Sequence, residues 1–303
     1  MTELEMDLRD VAKAPVEPDA PWYFRLSRAL ERRRVRGATR LLEEARRRGM
    51  LDVLVEYPVS DDLRLAVPIW RPCNAWDRQD VIGYEAAFLR LFAGCVGALG
   101  SGATLVDCGA DIGTGSVLLR ARCKNLDRIV AFEPNPSAHR VLALNLGGLG
   151  IEAQARRAAA SDFTGRGHLA SPPSDSSAHA MYLQPDPGGD VRVERVDDLL
   201  LPFGTPLALK IDVEGGELPV VEGAAQAIAN ASAVAIAFEA HPKVALRTCL
   251  DPVHVMRRLR ELRDDLVFYI DTSPARAIDP DRAVFEQVRP DRVYNIVAVS
   301  APR

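Results

Sequence analysis

An α/β protein is predicted here: a mostly parallel sheet covered by helices on both faces, preceded by an N-terminal helical and β-hairpin extension. Three observations carry the prediction. From residue 104 onward, short and almost continuously apolar runs alternate with helical segments, the pattern of strands buried on both faces. A glycine-rich turn at 109–115 joins the first of these strands to the first helix. Two β-rich runs near the C-terminus, 266–271 and 292–300, need no long helix between them and so suit an antiparallel pair at the sheet edge.

Taken in order, residues 1–20 are polar and proline-rich and read as a loosely held tail. Apolar residues at helical spacing over 24–48 predict two short amphipathic helices broken near Gly37. The β-rich runs 51–58 and 63–69 flank Ser60, Asp61 and Asp62 and predict a hairpin. A helix over 83–100 leads into the main domain, with its closing glycines as the stop. Strands are expected at 104–108, 128–133, 154–160, 207–213 and 233–239, and helices at 115–122, 136–146, 217–230 and 252–263. The segment 171–190 is rich in Pro, Ser, Gly and Asp and reads as a long loop, either of the kind that closes over or contacts substrate or disordered without a function. The domains are therefore drawn as 1–79 and 80–303.

Composition narrows the function. At 303 residues, 48% apolar and 26% charged, the chain is an ordinary globular protein with no run long enough to span a membrane. The N-terminus lacks a secretory signal, and five scattered cysteines without a CxxC argue against disulfides or a zinc knuckle, so the expected setting is cytoplasmic. A net charge of −4 weighs against general nucleic-acid binding. Residues 24–48 nevertheless hold ten arginines against three glutamates, read first as a solvated face and second as a docking patch for an acidic partner. The same helices would suit packing on a twin subunit.

The chemistry concentrates at predicted strand ends. Residues 105–115 (LVDCGADIGTG) place Asp107, Gly109, Ala110, Asp111 and Gly113 where a ligand can approach the backbone and a helix N-terminus. Glu133, followed by Pro134 and Asn135, lies 20 residues beyond Gly113, where an acid accepts from ribose hydroxyls. A dinucleotide fingerprint aligned on Gly109 would put Asp111 where glycine admits the pyrophosphate. S-adenosylmethionine (SAM) carries no phosphate and bears an ammonium and a sulfonium, so Asp107 and Asp111 favour it over NAD. Ser161 and Asp162 end the third strand, and Asp162 could accept from an adenine amino group or cap a turn. Residues 208–217 (ALKIDVEGGE) place Lys210, Asp212 and Glu214 on one face of a central strand, which is costly unless they meet a cleft or each other. Glu217 reads as a first-turn helix charge. Glu239 and His241 end the fifth strand, and His241 titrates near neutrality. Asp212, Glu214, Glu239 and His241 permit a divalent metal, but no tight ligand spacing demands one.

The blocks VDCGADIG, AFEPNP, LKIDVEGGE and AFEAH resemble the signature blocks of FkbM-type SAM-dependent methyltransferases. The resemblance runs from about residue 80 to 240. It implies the class I, Rossmann-like fold, a seven-stranded sheet with an antiparallel last strand, and O-methylation of hydroxyls on polyketides, sugars or related small metabolites. By the same resemblance, Asp107, Gly109 and Gly113 line the methionine part of SAM, Glu133 the ribose and Asp162 the adenine edge. Lys210, Asp212, Glu214, Glu239 and His241 then face the methyl group and the acceptor. One departure is Asp111, where the family usually has Asn, a change that adds a charge and removes a donor. The expected general base is His241, oriented by Asp212 or Glu239, with Glu214 as the alternative and Lys210 holding the acceptor or pairing with a carboxylate. Two competing readings are an RNA or protein methyltransferase docking through the arginine-rich helices, and a non-catalytic module that has lost SAM.

Overall fold

The computed structural model describes residues 20–38, 40–50, 53–71, 74–75, 81, 83–172, 181–272 and 275–300. The chain divides into two compact units, residues 1–84 and 85–303.

In the first unit, helices α1 (Trp22–Arg32) and α2 (Arg40–Arg47) are separated at Gly37, which takes φ 80°. Ser27 on α1 donates to the Ala38 carbonyl at 3.0 Å and so ties the helix to the turn after it. Strands β1 (Leu54–Pro58) and β2 (Arg64–Pro68) form the expected antiparallel hairpin, and β3 (Trp70–Arg71) pairs with β4 (Asn74–Ala75).

The second unit begins with α3 (Ala86–Gly97), whose Phe88 and Phe92 stack 5.5 Å apart in the core. There follow β5 (Ala103–Cys108), α4 (Thr114–Arg122), β6 (Leu126–Phe132), α5 (Pro136–Gly147) and β7 (Glu152–Arg156). A run of short strands comes next: β8 (Ala159–Ala160), β9 (Gly165–Ala170), β10 (Tyr182–Pro185) and β11 (Val191–Glu194). Then come β12 (Leu207–Ile211), α6 (Glu217–Gly223), α7 (Ala225–Asn230), β13 (Val234–Ala240), α8 (Pro242–Thr248) and α9 (Val253–Leu262). The unit closes with β14 (Leu266–Ile270), β15 (Arg276–Ala277), α10 (Val284–Gln287) and β16 (Tyr294–Ser300).

The main sheet has the order β7-β6-β5-β12-β13-β16-β14-β15. Neighbours are parallel from β7 to β13, and β16 runs antiparallel between β13 and β14. Seven strands with an antiparallel last one are the expected class I architecture, extended by the two-residue β15. Strands β5 and β12 are buried along their whole length, as apolar central strands must be. After β7 the order reverses, so β5 and β12 flank the switch point where ligands of such sheets bind.

Several expectations are corrected. The strand foreseen at 154–160 is split: β7 stays in the main sheet, while β8 enters a second sheet of order β10-β9-β11-β8. That second sheet absorbs part of the loop drawn at 171–190, because β10 pairs antiparallel with β9. Gly167 permits the pairing, since a Cβ there would stand 2.6 Å from the Gln184 carbonyl oxygen. His179, in the rest of that loop, lies outside the described residues. The long helix foreseen at 217–230 breaks at Ala224 into α6 and α7.

Candidate active site

Two turns meet at the switch point, and one glycine makes the meeting possible. A Cβ on Gly109 would stand 1.8 Å from the Asp212 carbonyl oxygen, and the residue takes φ 78°. Only glycine therefore lets the turn after β5 lie against the turn after β12. The Asp212 amide donates to the Cys108 carbonyl at 2.9 Å and continues the ladder one residue past β12. Gly113 packs its Cα against Leu142 of α5, where a Cβ would come within 2.8 Å. Between them Asp111 takes φ 51°, a left-handed conformation that Asp tolerates better than most residues.

Glu133 locks this turn to the next. Its Oε2 accepts from the Asp111 amide at 2.8 Å and its Oε1 from the Asn135 amide at 2.7 Å. The carboxylate is buried, and an ionised carboxylate is an acceptor suited to hydroxyl donors. Ala110 donates its amide to the Phe132 carbonyl. Pro134 is half-buried between these anchors, and Asn135 caps α5 by accepting from the amides of Ser137 and Ala138. Ser161 is buried and donates to the exposed Asp162 carboxylate at 3.1 Å.

The charged heart of the site is built on β5 and β12. Lys210 and Asp107 are register partners, and both are almost fully buried. Lys210 Nζ lies 3.0 Å from Asp212 Oδ2 and 3.6 Å from Asp107 Oδ1. Asp107 Oδ2 accepts from Ser116 at 2.7 Å, while its buried Oδ1 has no hydrogen bond. The expectation that Lys210, Asp212 and Glu214 share one face of a strand is corrected. The strand ends at Ile211, and Glu214 and Gly215 turn the chain with φ 55° and 104°. Asp212 and Glu214 reach the cluster from this loop. Glu217 reaches back to accept from the Gly215 amide at 2.9 Å, the first-turn role expected of it. Arg247 on α8 donates to the Glu214 carbonyl and sits 4.5 Å from the Tyr182 ring centroid, so it ties this loop to β10.

From β13, Glu239 joins Asp212 and Glu214, and carboxylate oxygens of the three lie within 4.8 Å of one another. Burial, with Asp212, Glu214, Glu217 and Glu85 nearby, pushes Glu239 up to about 9, so it is protonated at neutral pH. A cleft lined by Glu217, Glu239, His241, Val244, Thr248 and Asp251 opens beside it.

His241, expected as the base, is engaged as a helix cap in this structure. Its Nδ1 accepts from the Lys243 amide at 3.1 Å and caps α8. Burial and the cations Lys243 and Arg247 lower its affinity for a proton. A neutral ring that accepts at Nδ1 carries its hydrogen at Nε2, so its one basic lone pair is already engaged.

Sequence reasoning missed Glu85. It precedes α3 in a left-handed conformation, φ 39° and ψ 43°, and makes no side-chain cap. Its neighbours in the field of charge are Lys210, Asp212, Asp271 and Asp107, and burial pushes it up to about 7. No motif marks it, because a lone Glu before an amphipathic helix reads as an ordinary first-turn charge.

Among solved structures, the chain resembles the methyltransferase FkbM from Methylobacillus flagellatus KT at 19% identity and a TM-score of 0.40. That alignment covers 64% of this chain and 43% of the other, so this chain spans less than half of that protein. A SAM-dependent O-methyltransferase from Thermotoga maritima matches at 12% identity and a TM-score of 0.36, over 74% of this chain and 71% of that one. An rRNA methylase from Streptococcus thermophilus matches at 11% identity and a TM-score of 0.36, over 70% and 95%. No curated protein matches in a sequence search. The family model of the methyltransferase FkbM domain matches residues 107–266. That stretch is more than half of the 303 residues and carries both turns of the switch point together with β13, and the chain belongs to the FkbM methyltransferase family.

Proposed function

We propose that the protein uses SAM to methylate a hydroxyl group of a small metabolite. The observation that carries this reading is the gathering of carboxylates beside Lys210, with Asp107 buried and Asp212, Glu214 and Glu239 half-buried, set directly against the glycine turn. Such a site suits a ligand with positive charge and no phosphate. The turn fits that ligand in detail: residues 109–116 hold no Lys or Arg to pair a phosphate, and the buried Asp107 Oδ1 keeps an acceptor for an ammonium.

When bound, SAM supplies an activated methyl group. The chain supplies the rest. Asp107, Gly109, Ala110, Asp111 and Gly113 would hold the methionine end, Glu133 with Pro134 and Asn135 the ribose, and Ser161 with Asp162 the adenine. Lys210 pairs with Asp107 and Asp212, in the second of the two roles expected for it. Glu214, on the loop that Arg247 holds, takes the proton of the acceptor hydroxyl. Glu239, protonated at neutral pH, donates a hydrogen bond to the acceptor. The cleft beside Glu239 suits a compact acceptor.

A thermal-shift panel with SAM, S-adenosylhomocysteine, NAD and NADP tests the cofactor. Ligand at one hundred times Kd stabilises the folded state by about 2.7 kcal/mol. A shift with SAM and S-adenosylhomocysteine alone is expected. No shift with either, in folded protein free of carried-over ligand, would favour a non-catalytic module with Asp111 as the lesion.

One observation favours a second reading, docking on RNA: Arg32, Arg33, Arg34, Arg36 and Arg40 are all exposed along α1, α2 and the turn between them. Retention on RNA that falls steeply with salt would support it, through release of condensed counterions.

A further inference from the structure

Carboxylates gather at this site from five segments of the chain. Glu85 before α3, Asp107 on β5, Asp212 and Glu214 after β12, Glu239 on β13 and Asp271 after β14 lie in one electrostatic neighbourhood. Lys210 is the cation they share, and it is already paired with Asp107 and Asp212. Arg247 is turned to the Glu214 carbonyl and the Tyr182 ring. Two like charges at the 4.8 Å spacing of Asp212, Glu214 and Glu239 repel by roughly 3 kcal/mol at an effective dielectric of about 20. Protons held by Glu85 and Glu239 relieve that repulsion.

Within it Glu85 is set apart by geometry. A left-handed backbone at a non-glycine residue costs roughly 1–2 kcal/mol. The usual return, a side-chain cap on the following helix, is not taken. The Oε2 atom is sealed from water and has no hydrogen-bond partner among the described residues. The residue also lies outside the segment 107–266 that identifies the family.

We infer that Glu85 is a cofactor-sensing acid: its carboxyl holds a proton in the ligand-free protein and releases it when the cation of SAM enters, so that binding exchanges a proton for a positive charge. The inference rests on the SAM reading above. The affinity of Glu85 for a proton, raised to about 7, places this exchange in the neutral range. It also separates cofactor from product, because S-adenosylhomocysteine lacks the sulfonium charge and displaces less proton. A hydroxyl acceptor gives up one proton on methylation, to Glu214, so the cluster ends a cycle with the proton count it began with.

Calorimetric titration of SAM and of S-adenosylhomocysteine into the full chain, near neutral pH in two buffers of different ionisation enthalpy, counts the protons released. The expected release is about half a proton or more per SAM, clearly more than for S-adenosylhomocysteine. Glu85→Gln, which copies the protonated side chain, is expected to bind SAM with most of that release gone. Equal release for the two ligands in the wild-type chain overturns the inference without recourse to a variant. Undiminished release in Glu85→Gln also overturns it and leaves the SAM reading standing. Failure of the wild-type chain to bind SAM at all overturns both.

Discussion

At Gly109 the distance of 1.8 Å from a would-be Cβ to the Asp212 carbonyl shows how a single side-chain atom would part the two turns that make the site. That glycine was readable in the sequence as part of a ligand-binding turn, but the backbone it approaches was not, because Asp212 lies over a hundred residues away. His241 and Glu214 show the same limit from the other side. His241 follows β13 directly, whereas Glu214 lies on the loop beyond β12 and not on the strand face expected for it, and a hydrogen bond from the Lys243 amide, two residues on, decides what the imidazole can do. Glu214→Gln is therefore expected to lower turnover by about 10²- to 10⁴-fold at saturating SAM and acceptor, the usual worth of a general base. His241→Ala is expected to cost about 1 kcal/mol of stability, as loss of a helix cap does, with a smaller effect on turnover. Steady-state rates and urea midpoints of the two variants check the pair. A larger rate loss in His241→Ala than in Glu214→Gln would restore the imidazole as base.

Elements were legible wherever hydrophobic periodicity was long and unbroken. Strands β5, β6, β12 and β13 and helices α4 and α5 fall within two residues of their predicted ends. The failures came where pairing partners are distant. β8 and β11 pair parallel across more than thirty residues, and no local pattern announces that. The junction of α9 and β14 depends on a similar long-range contact. Arg263 is nearly buried, forks onto Asp265 through Nε–Oδ1 at 2.9 Å and Nη2–Oδ2 at 2.7 Å, and donates to the Ala231 carbonyl at 2.6 Å. It thereby satisfies a carbonyl left over at the end of α7. Arg263→Met should destabilise the second unit by about 3 kcal/mol, because the fork onto Asp265 and the bond to the Ala231 carbonyl are both lost. Chemical denaturation measures this, and a change below about 1 kcal/mol would show the fork to be a surface-grade ion pair.

For the whole molecule, the acid cluster links stability to pH. Glu85 is raised to about 7 and Glu239 to about 9, each from 4.5. Between 4.5 and those values the folded chain binds protons that the unfolded chain has released. Stability without ligand should therefore fall as pH rises through this window and level off above it. Urea midpoints from about pH 5 to about pH 9 test the sign, and Glu239→Gln should flatten the upper part of the curve. A midpoint that climbs across the window would mean that the cluster is ionised and paired in the folded chain.

The sequence by itself determined the class of fold, the family and the strand-end positions of almost every charged residue in the site. Those features follow from local physics: burial on both faces makes strands apolar, and glycines and acids gather where strands end. Tertiary structure alone decided the contacts that give those residues their chemistry. It brought Asp107 opposite Lys210, engaged the His241 lone pair and drew Glu85 in from the turn before α3. The reason is that proton affinity and hydrogen bonding depend on which groups lie within a few ångströms, and the groups that matter here come from five segments spread along the chain.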